Sequence, residues 1–226
     1  MAVEVTHPEL VSARQVSLDA LERSLPVACL LSMSGGFLDA FTWLSLGGVF
    51  ANSQTGNVVF LGMNVALGNW HEAAHHVPPI LAFLAGAWVA IRLKAPLICL
   101  ATEIACLTAV MLLLHRLPAP LAVVSMSFGV ALQTASFRQV DQWTYLSVTV
   151  TGNLLRAVEQ LISTPDREAA RGARTMLTVC LMFLLGAVVG GFVTVRLAAG
   201  SLVVPIGLLT LALWLCCRHR LRWPRI

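Results

Sequence analysis

Met33-Ser34-Gly35-Gly36-Phe37-Leu38-Asp39-Ala40 leads through an apolar run into Asn52-Ser53-Gln54-Thr55-Gly56-Asn57, and the reading of this passage decides how the chain is built. Its first part lies in an apolar segment near 25–47, long enough to cross a hydrocarbon layer of ~30 Å at ~1.5 Å per residue. Its second part is rich in amides and hydroxyls at a depth where lipid is expected. Unpaired backbone N–H and C=O groups are costly in hydrocarbon, so such a break requires a wet or protein-lined cavity. A helix broken there exposes polar backbone able to hold an ion or a polar solute, and the N-terminus of the half-helix favours negative charge. Thr and Asn at the break serve equally well as N-caps of a short helix.

The passage recurs. Thr151-Gly152-Asn153 repeats Thr55-Gly56-Asn57, and Met126-Ser127-Phe128-Gly129 repeats Met33-Ser34-Gly35-Gly36. Phe183-Leu184-Leu185-Gly186-Ala187 repeats Phe83-Leu84-Ala85-Gly86-Ala87, with Arg196-Leu197 and Arg92-Leu93 following; His219-Arg220-Leu221 repeats His115-Arg116-Leu117. Landmarks in one order at nearly constant spacing are the signature of two structural halves meeting near residue 118. The expected division is a cytosolic or interfacial lead-in over 1–24, membrane repeats over 25–118 and 119–217, and a basic cytoplasmic tail over 218–226.

Composition places both halves in lipid. Of 226 residues 58% are hydrophobic and 12% charged, about half the ~25% charge of a soluble domain, and the mean hydropathy is +0.81. A soluble globule is excluded. Apolar segments fall near 25–47, 55–68, 78–93, 96–114, 119–137, 145–162, 175–197 and 201–217. The expected fold is an all-α integral membrane protein of about six transmembrane helices. The segments near 55–68 and 145–162, short or polar, are two broken or re-entrant TGN segments. Basic loops stay cytoplasmic. With re-entrant breaks, both termini, Arg92, Lys94, Arg138, Arg167, Arg171 and Arg174 share one side and leave Arg116 and Arg196 opposite. Eight crossings would put Arg92, Lys94, Arg138 and Arg196 outside. An odd number of crossings per half makes the repeats inverted, and either count leaves the arginine-rich tail in the cytoplasm.

Glu4, Glu9, Asp19 and Glu22 precede the first apolar run, unlike the basic start of a secretory signal, so the first span is expected to be retained. Cys29, Cys99, Cys106, Cys180, Cys216 and Cys217 all lie in or at the end of apolar segments and read as buried thiols. No cofactor, metal or nucleic-acid partner is implied. The expected partners are the lipid bilayer and a small polar solute or ion; apolar helix faces are alike whether they meet lipid or a second subunit, so a homo-oligomer stays open.

An intramembrane carboxylate needs a partner, a proton or water, which singles out Asp39. Its counterpart in the second half is Gln133. The candidate substrate- or ion-binding set is therefore Asp39, Asn52, Thr55, Gly56, Asn57, Gln133, Thr149, Thr151, Gly152 and Asn153. A structural hydrogen bond from Asp39 to the neighbouring break competes with proton or cation coupling. Glu103 is a second acid deep in an apolar run. His71-Glu72-Ala73-Ala74-His75 matches the H-E-x-x-H zinc string, but it reads as a polar loop before Val77-Pro78-Pro79, with no third ligand in view. No nucleophile elbow, phosphate loop or dinucleotide fingerprint is present, and no enzyme is expected.

Gly36-Phe37-Leu38-Asp39-Ala40, Gly48-Val49-Phe50-Ala51-Asn52 leading to Thr55-Gly56-Asn57, and Gly129 to Gln133 with Thr149 to Asn153 resemble the YoaK-like family of bacterial membrane proteins, domain of unknown function 1275. The resemblance covers roughly 25–217. It implies a bacterial inner-membrane protein of six or seven spans with no established substrate, and it does not include the HEAAH string. The functional expectation is secondary transport of a small polar solute, with a channel or a non-transporting scaffold as alternatives and a membrane metalloprotease as a remote one.

Overall fold

Proline marks where the helices begin, because a residue without an N–H loses nothing in a first helical turn. A computed structural model describes residues 22–163 and 167–222. The helices are α1 (Leu25–Ser45), α2 (Gln54–Ala66), α3 (Trp70–His75), α4 (Val77–Leu93), α5 (Pro96–Leu113), α6 (Ala119–Ser136), α7 (Val150–Ser163), α8 (Arg167–Leu197) and α9 (Val203–Arg222). Pro26, Pro78, Pro96 and Pro120 stand in the first turns of α1, α4, α5 and α6. Most of the expected lead-in over 1–24 and the last residues of the tail over 218–226 lie outside the described residues.

This is an all-α membrane protein. Among the described residues five helical runs are long and apolar enough to cross a bilayer: Leu25–Ser45, Trp70–Leu93, Pro96–Leu113, Ala119–Ser136 and Arg167–Arg218. The last has 52 residues, roughly 78 Å of helix at 1.5 Å per residue, and is divided by a 3-10 turn at Ala198–Leu202. Ala198 is left-handed there, with φ 46°, and Thr194 and Ser201 hydroxyls meet across the turn at 3.3 Å. By contrast α2 and α7 have 13 and 14 residues, about 20 Å each.

The helices pair in a crossed pattern. Helix α1 packs on α8 and α4 on α6, while α9 packs on α1, α5 on α6, and α5 on α9. Glycine permits the closest of these approaches. A Cβ on Gly36 would lie 2.0 Å from the Phe183 carbonyl oxygen, and one on Gly186 2.0 Å from that of Met33; at the α4–α6 contact a Cβ on Gly86 would lie 2.4 Å from the Phe128 oxygen. Lipid is as apolar as leucine, so tight backbone contact between small residues, rather than a hydrophobic force, holds such helices together. Leu31, Phe37, Leu100, Leu107, Met126 and Leu209 fill the centre, whereas Leu84, Trp88, Leu184 and Val195 face outward.

Contacts between chain ends order the molecule along its long axis. The position of a Cβ on Gly47, just past α1, is 3.8 Å from His75, just before α4. At the other end the Asp141 amide donates to the Arg23 carbonyl at 2.6 Å, Arg171 pairs with Asp141 at 3.3 Å, and Gln142 bonds Glu168. Asp141 and Gln142 form the turn of a short antiparallel hairpin, β1 (Gln139–Val140) with β2 (Trp143–Thr144). So the start of α1, the end of α6 and the start of α8 share one end, and the end of α1 meets the start of α4 at the opposite one.

Two expectations are corrected. His71-Glu72-Ala73-Ala74-His75 is helical, in α3. The prolines that were expected to forbid this instead open α4 in its first turn, where no N–H is needed. The broken segment expected near 145–162 is helical only from Val150, so its start is shifted, because Leu146 to Thr149 carry the polar break described below.

If glycine contact holds α1 to α8, Gly36→Ala and Gly186→Ala should each cost about 1–3 kcal/mol by overpacking. Gly191, on the same helix with nothing within 4 Å of a Cβ, should tolerate alanine or gain up to about 1 kcal/mol from helix propensity. Thermal unfolding in detergent micelles reads this directly, and equal midpoints for all three variants would contradict it.

Candidate functional site

Both polar breaks are built by one local device. Asn57, in the first turn of α2, accepts from the Phe50 amide at 3.0 Å and donates to the Phe50 carbonyl at 2.8 Å. Asn153, in the first turn of α7, accepts from the Leu146 amide at 3.3 Å and donates to its carbonyl at 2.8 Å. Each asparagine thus closes a loop onto the residue seven positions earlier, supplying the partners that lipid cannot. Thr55 and Thr151 precede them as the N-terminal part of each helix, and no side chain caps α2. A Cβ on Gly56 would lie 2.7 Å from the Phe50 ring, so that glycine lets the ring close over the turn, whereas one on Gly152 would make only ordinary contacts, 3.4 Å from Thr149 and 3.5 Å from Arg156.

A second device ties each break to the preceding span. Asp39, one and a half turns before the end of α1, accepts from the Asn52 amide at 2.8 Å and the Ser53 amide at 3.4 Å through Oδ1, and from the Ser53 hydroxyl at 2.5 Å through Oδ2. Gln133 of α6 donates to the Ser147 hydroxyl at 3.0 Å. In both halves the serine lies fourteen residues after the α-helical polar group. Thr42 also accepts from the Ala51 amide at 3.1 Å, and Asn52 donates through Nδ2 to the Gly35 carbonyl at 2.6 Å. The carboxylate of Asp39 is therefore enclosed by the donors of its own loop.

The two breaks meet. A cavity of about 470 Å³ is lined by Asn52, Ser53, Gln54 and Thr55 from one and Thr149, Val150 and Thr151 from the other. Phe83, Ala87 and Ile91 of α4, with Phe183 of α8, wall it, and Thr134 and Arg138 border it at the end of α6. It runs along α4 from Phe83 to Ile91, about 12 Å, toward the end of the molecule that carries Arg138 and the hairpin. Of the expected residues, Asn52, Thr55, Thr149 and Thr151 line this space. Asp39, Gly56, Asn57, Gln133, Gly152 and Asn153 do not; they form the support behind it. Ser53, Gln54, Thr134 and Arg138 were absent from the expected set. Ser53 and Gln54 stood inside the quoted motif, whereas Arg138 had no signal beyond its charge at a helix end.

Other clusters stand apart. The His71 and His75 rings pack edge to face with centroids 4.8 Å apart, and among the described residues no three His, Cys, Asp or Glu side chains are grouped to hold a metal ion. Trp43, Phe50, Phe60 and His76 stack as one aromatic group over α2. Glu103 is fully buried against Gly129, with neither carboxyl oxygen bonded. Tyr145, outside the spans, is buried beneath the hairpin, and burial pushes its phenol up from the usual value.

Asn57→Ala and Asn153→Ala should each lower stability by about 1–3 kcal/mol, because each leaves a buried loop amide and carbonyl unpaired. Asp39→Leu should cost as much, but Asp39→Asn should cost less than about 1 kcal/mol. An amide there can donate to Ser53 as Gln133 does to Ser147. Urea or thermal titration in micelles separates these variants, and an Asp39→Asn protein as unstable as Asp39→Leu would refute the equivalence.

No curated protein and no solved structure matches this chain. The model of a family described as a protein of unknown function, DUF1275, matches residues 27–215, nearly the whole membrane region with both breaks and the cavity between them. The chain belongs to the DUF1275 family.

Proposed function

We propose that this protein is a secondary transporter of a small polar solute, which binds in the cavity where the two TGN breaks meet, and that it has no catalytic role. The observation that carries this reading is the convergence of two hydroxyl-rich breaks from distant parts of the chain on one cavity of about 470 Å³. That size falls within the ~300–1,000 Å³ range of small-molecule sites. Polar backbone at membrane depth is tolerated where it lines such a space, and paired discontinuous helices at a repeat interface are the usual construction of a solute site in secondary transporters.

Six crossings and two inverted repeats complete the proposal. Supporting it, Arg23 and Asp141 meet at one end of the molecule while Gly47 and His75 meet at the other; α2 and α7, too short to span, then enter and leave by the same side. The crossed packing of α1 on α8 and α4 on α6 has the form expected when equivalent helices of two halves exchange partners. Arg23, Arg138, Arg167 and Arg171 gather at one end, which the positive-inside tendency assigns to the cytoplasm of a bacterial inner membrane, with the C-terminal tail on that side. The cavity then faces inward, and rocking of one half against the other exposes it outward. Asp39, held behind the break, is the group available to couple a proton or cation to that motion.

Single cysteines in a background lacking the six native ones test this. Thr55→Cys and Thr151→Cys should both react with a membrane-impermeant thiol reagent from the side carrying Arg167→Cys, and Asn69→Cys only from the opposite side. Labelling of Asn69→Cys and Arg167→Cys from one side would refute re-entrant breaks. In proteoliposomes Asp39→Asn should stay folded yet lose at least tenfold of gradient-driven uptake. Unchanged accumulation would remove Asp39 from coupling.

A further inference from the structure

The wall of the cavity carries charge of one sign. Arg138 lines it, and its guanidinium has neither an ion pair nor a hydrogen bond among the described residues. Among the described residues no Asp or Glu belongs to the lining; Asp39 turns its oxygens to Asn52 and Ser53, and Asp141, three residues from Arg138, pairs with Arg171 at 3.3 Å. Helices α2 and α7 both begin at this space, at Gln54 and Val150. Each brings the partial positive charge of a helix N-terminus, although at α2 the Gln54, Gly56 and Asn57 amides already donate to the Asn52 and Ser53 carbonyls. Two helix N-termini and an exposed arginine meeting at one cavity attract an anion and repel a cation.

Two buried side chains in the same wall are incomplete. Asn52 is 4% exposed and Thr134 6% exposed. Among the described residues Asn52 Oδ1 and Thr134 Oγ1 have no hydrogen-bond partner. The orientation of the Asn52 amide is fixed, because its Nδ2 donates to the Gly35 carbonyl at 2.6 Å and a flip would set oxygen against oxygen. Its free atom is thus an acceptor, which calls for an O–H or N–H donor, and buried polar atoms without partners in a native fold ask for one.

We propose that the cavity takes a small carboxylate that also carries an O–H or N–H donor, such as a hydroxy acid. Arg138 and the starts of α2 and α7 hold the carboxylate, and Asn52 and Thr134 hold the donor-bearing carbon. This assignment rests on the solute-site reading above and names the chemical class of its solute.

Thermal shift and calorimetry of the full chain in detergent micelles test it, with lactate and malate as probes against propionate, inorganic phosphate, choline and glucose. Lactate or malate should raise the midpoint more than propionate does. Arg138→Gln should weaken their Kd at least tenfold and Arg138→Lys less, with the ligand-free midpoint unchanged because that guanidinium has no partner to lose. Thr134→Val should bring the hydroxy acids down to the level of propionate. Stabilisation by choline or glucose alone, lost in Thr55→Val, would overturn the anion assignment and leave the solute site standing. Stabilisation by phosphate alone would overturn the carboxylate. Binding of lactate or malate that survives both Arg138→Gln and Thr134→Val would mark adventitious binding and overturn the site. Silence of all six probes would overturn this assignment and the solute-site reading together.

Discussion

The absence of water from hydrocarbon is the constraint on which the rest of this structure depends. A helix that stops inside a bilayer leaves amides and carbonyls that only protein or an enclosed cavity can satisfy. Two short helices of this chain, α2 and α7, begin at polar breaks, and each time a carboxamide seven residues after a loop residue takes up that residue's amide and carbonyl. The same need explains Asp39, whose oxygens accept two loop amides and one hydroxyl. A buried acid that looks anomalous in the apolar run 25–47 is the acceptor that makes the break possible.

Satisfying the breaks internally also determines what is left over. Asn57, Asn153, Asp39 and Gln133 are consumed by scaffold contacts, so they cannot also face a solute. The polar residues that remain at the surface of the cavity are Asn52, Ser53, Gln54, Thr55, Thr134, Arg138, Thr149 and Thr151. Binding chemistry and structural chemistry are thus divided between neighbours in one motif. Close packing of α1 on α8 and of α4 on α6 through Gly36, Gly186 and Gly86 holds the two breaks opposite each other. The longer side chains Phe83 and Phe183 complete the walls between them.

Much of this was legible in the residues. The apolar segments near 25–47, 78–93, 96–114 and 119–137 match α1, α4, α5 and α6 to within a few residues, because twenty apolar residues in a row have few alternatives. Segments with mixed signals were read less well. Helix α8 begins at Arg167, well before the apolar run near 175, since Arg167-Glu168-Ala169-Ala170-Arg171 forms helix readily in water and carries the span beyond its lipid-facing part. His71 to His75 reads as loop for the opposite reason: its polarity is visible in the sequence, but its continuity with the helix that follows is not.

Sequence alone determined that this chain lives in lipid, that Asp39 and the two TGN breaks are exceptional within it, and that these features come in matched pairs. Those conclusions follow from solvent and from order along the chain, which need no coordinates. Only tertiary structure decided which polar groups face the cavity and which face their own loops, because an asparagine, a threonine and an aspartate in one motif are equivalent until direction is known. It also brought Arg138 beside the first break, which is far from it in the chain. That juxtaposition depends on helices crossing between distant segments at glycine contacts, and no local pattern encodes it.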